Sequence, residues 1–358
     1  MKKKIIFWTK GLDDLLNDQS RFNGGAAVQM VFWAKTFEEN NWEVYSFSER
    51  KNSIINGIKF IKFPSINKLG VFLELFLSLF FILKISPDVI IRRGASRNLF
   101  FTAFSAWILC KKLIFMGAHD TDFVPGNEII DSKLNKILYQ IGVSFTNLFI
   151  VQNTNQSESL FRNYKKNDYL LIPNIWKKKL SKSKKITLSK KYFLWVSNFN
   201  ARKRPKWFIQ LAKENPLKEF VMVGGPGNLA LFNKCQLDSH KIKNLLFYGP
   251  KRFSFTNSLF SEAQIFYCTS ESEGFPNTIL QAWSNNVPVI STFDPSNIIK
   301  SKNLGIIVSS EEELKKATEN LLTNLELYNN IQINIKNYFK QTHDSQSAYE
   351  KLITHYKL

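Results

Sequence analysis

The sequence predicts an α/β protein with two doubly wound sheets, and two observations carry this prediction. Short apolar runs alternate with helical patterns along the whole chain. Most of these runs are apolar throughout and do not alternate with polar residues, which is typical of parallel strands that helices cover on both faces. Because strands and helices alternate, we expect the right-handed crossovers of a doubly wound fold.

The predicted strands fall into two sets of six. In the first half of the chain they are residues 4–9, 42–47, 88–92, 112–116, 148–152 and 170–173. In the second half they are residues 192–197, 220–223, 245–248, 263–268, 287–291 and 305–308. Helical patterns include residues 27–40, 134–141, 205–214, 277–284 and 311–322. We therefore expect an N-terminal domain over residues 1–175, completed by a terminal helix at 345–358, and a C-terminal domain over residues 176–344.

The composition is that of a large, folded and basic protein. With 358 residues, of which 44% are hydrophobic, the chain can bury the cores of two domains. The three cysteines lie in unrelated apolar segments, which excludes a disulfide framework and fits a reducing compartment. The formal net charge of +20 is shared equally by both halves. Such a diffuse positive field suits phosphorylated small molecules, anionic lipid headgroups or nucleic acid.

Three segments bear on the membrane and on localisation. The start MKKKIIFWTKG has too short an apolar run for a signal peptide, and an opening core strand is expected there. The run at 69–85, LGVFLELFLSLFFILKI, is interrupted by Glu74 and falls short of about 20 clean apolar residues. A buried helix is the favoured interpretation, with contact to an anionic membrane as the alternative. The lysine-rich stretch 177–191 is interpreted as a solvated linker, with an anion-binding patch as the alternative. We expect the protein to be located in the cytoplasm, with the inner face of the cytoplasmic membrane as one site within it.

The acidic turn TSESEGFPN follows a predicted strand, and ligands of open α/β sheets bind beyond the carboxyl ends of strands. Pro276 suits the first turn of a helix, whose free N–H groups can hold a phosphate. Glu273 is then placed to accept hydrogen bonds from sugar hydroxyls. The alternative is an acidic side chain that only stabilises the start of the helix.

Three further turns follow predicted strands. The turn ARKRP places Lys203 between Arg202 and Arg204, where positive charge could hold a diphosphate. A solvated basic face or a surface that binds nucleic acid would show a similar sequence pattern. The pair Gly24–Gly25 opens a helix, but without GxGxxG it predicts NAD binding only weakly. His119, Asp120 and Asp122 lie together in FMGAHDTDF and are candidate site residues, although a lone histidine is often structural.

The stretch SESEGFPNTILQAWSNNVPVIST resembles the donor-binding signature of family-4 glycosyltransferases with the GT-B fold. The order of other segments agrees with that family, namely FNGGAAVQ, PDVIIRRG, IVQNTNQSESL, LIPN, KRP, FVMVGGPG and FYGP. The resemblance implies two Rossmann-like domains facing each other across a cleft. It also implies a retaining transferase that uses a nucleotide-sugar, a UDP- or GDP-sugar, with no metal and no tightly bound cofactor.

The resemblance also implies roles for individual residues. It places Glu273, His119 and Lys203 at the catalytic centre, and Asp120 and Asp122 on the acceptor side. The implied donor-binding residues are Gly24, Gly25, Asn198, Arg202, Gly225, Gly274, Phe275, Pro276, Asn277, Thr278 and Gln281. The loop after Tyr248 would lie near the nucleotide base.

Two residues depart from the family pattern. Asn198 stands where the family often has an arginine that neutralises the diphosphate, so Arg202 or Arg204 would have to replace it. Gln281 stands where a second glutamate would accept from a ribose diol, and its amide oxygen can still accept.

The predicted function is transfer of a sugar to a glycan or lipid-linked acceptor in bacterial surface polysaccharide or glycolipid synthesis. Contact with an anionic membrane fits this function, and no nucleic-acid partner is expected. The alternatives are a GT-B sugar-nucleotide epimerase and a catalytically weak GT-B scaffold protein. A two-domain solute-binding protein is disfavoured, because it would need a secretion signal.

Overall fold

In the computed structural model of the chain, the residues described are 2–17, 25–64, 71–177, 192–271 and 275–358. They form two compact units. The first unit contains described residues up to Ile175 together with Asp344–Leu358, and the second contains those of Trp176–His343.

The first unit is built on a sheet of eight described strands. They are β1 (Lys4–Lys10), β2 (Glu43–Ser48), β3 (Ser53–Ile55), β4 (Ile58–Lys62), β5 (Val89–Arg93), β6 (Lys112–Met116), β7 (Leu148–Val151) and β8 (Tyr169–Leu171). Their order is β3-β4-β2-β1-β5-β6-β7-β8, and every pairing is parallel except that of β3 with β4. The helices of this part are α1 (Leu12–Leu16), α2 (Gly25–Glu39), α3 (Val71–Ile85), α4 (Asn98–Ile108), α5 (Lys133–Phe145) and α6 (Thr154–Tyr164).

The central strands are buried on both faces, as the continuous apolar runs predict. In β1 the consecutive residues Ile5, Ile6 and Phe7 are all fully buried. Ile6 lies opposite Tyr45 of β2 and Ile90 of β5. Helices therefore have to cover both sides of the sheet, which explains why strand alternation is missing from the sequence.

The hairpin of β3 and β4 was not predicted, so the expectation of six strands in the first half is wrong. Its turn consists of Asn56 and Gly57, which have φ angles of 50° and 81°. Asn-Gly is the preferred pair for a two-residue hairpin turn, because both positions need positive φ. That dipeptide, in SIINGIKFIKF, is the signal that could have located the hairpin.

The sequence favoured a buried helix over residues 69–85, and helix α3 is buried on one side only. Its inward side is buried at Glu74, Ser78 and Phe81, whereas Phe72 and Phe76 are exposed. Among the described residues, no helix combines the length and apolarity needed to cross a membrane.

The second unit contains the six strands predicted for it, all parallel. They are β9 (Tyr192–Val196), β10 (Phe220–Val223), β11 (Leu245–Phe247), β12 (Ala263–Cys268), β13 (Val289–Ser291) and β14 (Gly305–Ile307). Its helices are α7 (Pro205–Glu214), α8 (Leu229–His240), α9 (Phe253–Leu259), α10 (Asn277–Ser284), α11 (Ile298–Ser301), α12 (Glu311–Thr323) and α13 (Leu325–Thr342).

The last helix, α14 (Ser345–Tyr356), packs against α2 in the first unit. The Tyr356 hydroxyl accepts from the N–H of Phe149 in β7 at 3.0 Å. The indole N–H of Trp42 donates to the Tyr349 hydroxyl at 2.8 Å. The chain end is thus tied into the first sheet by side-chain hydrogen bonds.

The strand order locates the ligand-binding edge of the second sheet. The order is β11-β10-β9-β12-β13-β14, so the chain runs outward from β9 in one direction and then from β12 in the other. In open α/β sheets this reversal leaves a crevice at the carboxyl ends of the two central strands, where ligands bind. The loops after β9 and β12 are therefore expected to form the ligand site of the second unit.

Candidate functional site

Two loops of the second unit meet at the carboxyl ends of β9 and β12. The basic loop includes a short 3-10 turn, Ala201–Lys203, and the acidic loop follows Cys268. The N–H of Glu271 donates to the carbonyl of Arg202 at 2.8 Å. The Thr269 hydroxyl donates to the carbonyl of Lys203 at 2.6 Å. These two bonds hold the basic and acidic segments in one arrangement.

The buried side chain of Trp195 also contacts the acidic loop. The indole N–H of Trp195, in β9, donates to the Thr269 hydroxyl at 2.9 Å. Trp195 is almost completely buried. A side chain packed in this way has little rotamer freedom, so it fixes the acidic loop relative to the sheet.

Lys203, in the basic loop, has a pKa below the ordinary value of a lysine. Burial lowers the pKa of Lys203, the neighbouring charge of Arg202 lowers it further, and Cys268 opposes the shift. An ammonium group that is partly removed from water gains from an arriving anion more than a solvated one does. Lys203 is therefore suited to hold a phosphate.

The two arginines beside Lys203 differ in what they contact. The guanidinium of Arg204 pairs with the Glu271 carboxylate at 3.1 Å and lies 4.9 Å from the centre of the Trp207 ring. Arg202 is exposed and has no ion-pair partner in the described part of the chain. Arg202 is thus the better replacement for the arginine that is missing at Asn198, which is itself exposed.

The helix α10 begins at Asn277, directly after Pro276. Pro276 is extended, with φ −64° and ψ 119°. The first N–H groups of a helix lack carbonyl partners within the helix, so they can bind a ligand. Asn277 and Thr278 are half-buried. Phe275 packs against His343 with ring centres 5.4 Å apart. Glu273, Gly274 and, in the first unit, Gly24 lie outside the described residues.

The loops after β9 and β10 approach backbone to backbone. The N–H of Phe199 donates to the carbonyl of Gly225 at 2.9 Å, and Gly225 is buried. At Gly224 a Cβ would collide with the carbonyl of Ser197, so only glycine fits there. Sequence reasoning selected Gly225 and missed Gly224, although the Gly-Gly pair after an apolar strand signalled such an approach.

Gln281 lies inside α10 and is 4% exposed. Its amide donates from Nε2 to Oδ1 of Asn257, in α9, at 3.3 Å. The predicted role of Gln281 toward a ribose stays a prediction.

The first unit holds the remaining candidates in two places. Gly25 is exposed at the start of α2. His119 precedes a 3-10 turn, Asp120–Phe123, that follows β6. The buried Asp122 carboxylate accepts from the N–H groups of Ala118 at 2.7 Å and His119 at 3.2 Å. Burial raises the pKa of Asp122, and these hydrogen bonds oppose the rise. Asp122 thus holds the turn that carries His119.

Asp120 lies in the same turn and is bound from a second loop. Its carboxylate accepts from the side-chain amides of Asn153 at 2.8 Å and Gln156 at 3.2 Å. Asp120 therefore links the loop after β6 to the start of α6.

Arg93 belongs to this polar region and was not selected from the sequence. It ends β5 and donates from Nη2 to Oδ1 of Asn174 at 2.7 Å. Its Nε is buried and finds no hydrogen-bond partner among the described residues. Burial lowers the pKa of Arg93 to about 10, while Asp122 favours the charge. The signal was the pair of arginines at the end of an apolar strand in PDVIIRRG.

The described residues contain no group of three or more His, Cys, Asp or Glu side chains that could hold a metal.

Comparison with known proteins connects this site to a family. Residues 177–338 match the model of the family described as glycosyl transferases group 1. An uncharacterised glycosyltransferase of Methanocaldococcus jannaschii is 25% identical over 237 residues, which cover 58% of this chain and 55% of the relative. The chain thus spans about half the length of this curated relative.

Solved structures resemble the whole chain. Sucrose-phosphate synthase from Thermosynechococcus elongatus matches with a TM-score of 0.74 at 14% identity, covering 99% of this chain and 98% of that one. Anabaena HepE, in complex with UDP and glucose, matches with a TM-score of 0.72 at 15% identity, covering 98% and 99%. The UDP-GlcNAc 2-epimerase of Methanocaldococcus jannaschii matches with a TM-score of 0.67 at 15% identity, covering 99% and 100%.

These findings confirm the predicted fold class of two parallel-sheet α/β units. The chain therefore has the two-unit α/β fold of these solved structures, and residues 177–338 match the family described as glycosyl transferases group 1.

Proposed function

We propose that the chain is a retaining, family-4 glycosyltransferase that moves a sugar from a nucleotide diphosphate to a glycan or lipid-linked acceptor. The observation that supports this most directly is the junction of Lys203 with the loop that leads to α10, at the carboxyl ends of β9 and β12. The proposal includes a role in bacterial surface polysaccharide or glycolipid synthesis. A lipid-linked acceptor implies work at the inner face of the cytoplasmic membrane.

The proposed roles of the site residues follow from the position at which negative charge develops during sugar transfer. As the bond between sugar and diphosphate breaks, negative charge grows on the leaving phosphate. Lys203, Arg202 and the first N–H groups of α10 would stabilise this charge, as fixed dipoles and cations do in a partly dry site. Glu273 would accept hydrogen bonds from the donor sugar, and His119 would lie near the sugar that is transferred.

A thermal-shift comparison of UDP, GDP, ADP and CMP tests the proposed donor class. The HepE complex makes UDP the first choice. A nucleotide at a hundred times its dissociation constant stabilises the fold by about 2.7 kcal/mol, so we expect a rise of several degrees for one base and little for the others. If none of the four nucleotides raises the melting midpoint, the donor assignment is wrong.

A sugar-nucleotide epimerase is the second candidate, supported by the structural similarity to the UDP-GlcNAc 2-epimerase of Methanocaldococcus jannaschii. The match of residues 177–338 to glycosyl transferases group 1 favours transfer. Incubation with UDP-GlcNAc alone, followed by NMR, separates the two activities. A new sugar-nucleotide stereoisomer formed without any acceptor would establish the epimerase and reject the transferase.

Gln281 offers a test of the ribose contact within this proposal. We expect Gln281→Glu to tighten the donor several-fold, because a charged acceptor makes hydrogen bonds of about 1.5–3 kcal/mol against about 0.5–1.5 for a neutral one. Gln281→Leu should weaken donor binding. Calorimetric dissociation constants and melting midpoints measure the two effects separately.

The matched control for this pair is Asn257→Ala, which removes the partner of the Gln281 amide and leaves Gln281 in place. We expect this control to change stability more than donor affinity. Unchanged donor affinity in both Gln281 variants would show that Gln281 serves only the contact between α10 and α9.

A further inference from the structure

Three helices of the first unit lie side by side on one face of the sheet. Helix α4 packs against both α3 and α5. The contact with α5 is close, because a Cβ on Gly142 would lie 2.6 Å from the backbone nitrogen of Phe100. The outward sides of α3, α4 and α5 therefore form one continuous surface.

Helix α3 buries Glu74 and Ser78 together with Phe81 and leaves other phenylalanines exposed. Glu74 and Ser78 are 3% and 4% exposed, and the Glu74 carboxylate pairs with Arg97 at 2.7 Å. Phe72 and Phe76 are 88% and 61% exposed. A surface helix of a soluble domain normally has charged and polar residues on its outward side, so the exposed phenylalanines of α3 are unusual.

Helices α4 and α5 also expose large apolar side chains. In α4 the polar Thr102 is fully buried and accepts from the Arg92 guanidinium at 2.7 Å, whereas Trp107 is 57% exposed. In α5, Leu134 and Ile137 are 63% and 52% exposed. We call the outward side chains Phe72, Phe76, Leu83, Trp107, Leu134 and Ile137 the apolar face.

The exposed apolar side chains are concentrated on this surface. Of the 20 large hydrophobic residues exposed in the described part of the chain, ten lie on α3, α4 and α5. Single exposed apolar residues are ordinary, but a continuous patch of this kind usually marks an interaction surface.

The charge of the surface indicates its partner. Lys84 and Lys133 are exposed on α3 and α5, and Glu74 is the only acidic residue in the three helices and points inward. The Lys84 ammonium lies 5.5 Å from the centre of the Phe80 ring, at the border of the patch. In a two-fold dimer the same patch would meet itself and bring these lysines together, with no acidic residue on the outward sides of the three helices to pair with them. The charge therefore disfavours a second copy and favours an anionic partner.

We propose that the apolar face docks the first unit onto an anionic lipid bilayer, with its phenylalanines and Trp107 in the interface and Lys84 and Lys133 at the headgroups. Apolar helix faces with aromatic residues and bordering lysines bind membrane surfaces in this way. The inference deepens the proposed function, on which it rests for the lipid-linked acceptor, and names the surface through which that acceptor is reached.

Flotation with vesicles tests the docking surface. One set contains neutral phosphatidylcholine, and the other also contains about a third phosphatidylglycerol, each at about 0.05 M and about 0.5 M salt. We expect the chain to bind the anionic vesicles at low salt and to be largely released at high salt. Absence of binding to anionic vesicles at low salt would overturn the proposal.

Variants of the apolar face make the test specific. The triple variant Phe72→Ser, Phe76→Ser, Leu83→Ser should bind at least about tenfold more weakly, because three apolar side chains no longer enter the interface. Lys84→Glu with Lys133→Glu should lose roughly tenfold at low salt and less at high salt. The matched control is Leu217→Ser with Leu325→Ser in the second unit, where the side chains are 92% and 70% exposed. It should bind as the unmodified chain does.

The remaining outcomes distinguish a membrane from a second copy of the chain on the apolar face, and they separate the docking surface from the donor assignment. Equal vesicle binding by the triple variant overturns the docking surface. The unmodified chain could instead fail to bind vesicles and form a dimer, while the triple variant stays monomeric. In that case the apolar face binds a second copy of the chain, and the proposal is wrong. The nucleotide shift of the same proteins is read independently. In the unmodified chain, absence of vesicle binding with an intact nucleotide shift rejects only the docking surface, and vesicle binding without a nucleotide shift rejects only the donor assignment. In the triple variant, weaker vesicle binding with an intact nucleotide shift is the expected result.

Discussion

Glu273→Ala is expected to lower turnover at least about a hundredfold, while the melting midpoint stays nearly unchanged. A hundredfold corresponds to about 2.7 kcal/mol of transition-state stabilisation, which is the range of hydrogen bonds to a charged acceptor. Glu273 lies outside the described residues, but the chain on both sides is held in place. The N–H of Glu271 is bound to the Arg202 carbonyl at 2.8 Å, and Phe275 packs on His343. Steady-state kinetics and thermal unfolding measure the two effects.

The neighbouring acid supplies a matched control. The Glu271 carboxylate is about half exposed and pairs with Arg204, and such exposed pairs contribute about 0–1 kcal/mol. Glu271→Ala should therefore change turnover only slightly. An unfolded or fully active Glu273→Ala protein would refute the assignment of Glu273. Equal losses in both variants would show that the loop matters and the Glu273 carboxylate does not.

Lys203→Ala is expected to weaken binding of the nucleoside diphosphate by roughly tenfold to a hundredfold and to slow transfer. The estimate follows from the loss of a charge-assisted hydrogen bond of about 1.5–3 kcal/mol. Titration calorimetry with the free nucleotide measures the affinity without turnover. Lys206→Ala is the control, because Lys206 is an exposed lysine of α7 only three residues away. Equal affinity of Lys203→Ala and the unmodified chain would move the role to Arg202.

The same lysine gives donor binding a pH dependence. Burial lowers the pKa of Lys203 below its ordinary value of 10.5, so its positive charge is lost at a lower pH than that of a solvated lysine. Donor affinity should therefore be constant below this pKa and fall as the pH rises through it. Calorimetry between about pH 7 and about pH 10 should show this fall in the unmodified chain and not in Lys203→Ala. Identical pH profiles of both proteins would contradict the role of Lys203.

The sequence by itself determined the architecture of the second unit. All six strands, and helices 205–214 and 277–284, lie where they were predicted. The signals were local, namely continuous apolar runs and a proline at or just before each of these two helix starts. Such signals can be recognised without knowledge of the tertiary structure. In the first unit the hairpin was missed because its strands are short, with three and five residues, although Asn56-Gly57 marked the turn.

Tertiary structure alone decided which side of α3 is buried and which basic side chain is available. The helix VFLELFLSLFFILKI is apolar almost all round, so its sequence defines no inward face. Its orientation depends on the pairing of Glu74 with Arg97, 23 residues along the chain. In the same way, Arg204 is engaged because β12 lies beside β9 and brings Glu271 to it across 67 residues. Partners this distant meet only through the order of strands in the sheet, which local patterns of residues do not contain.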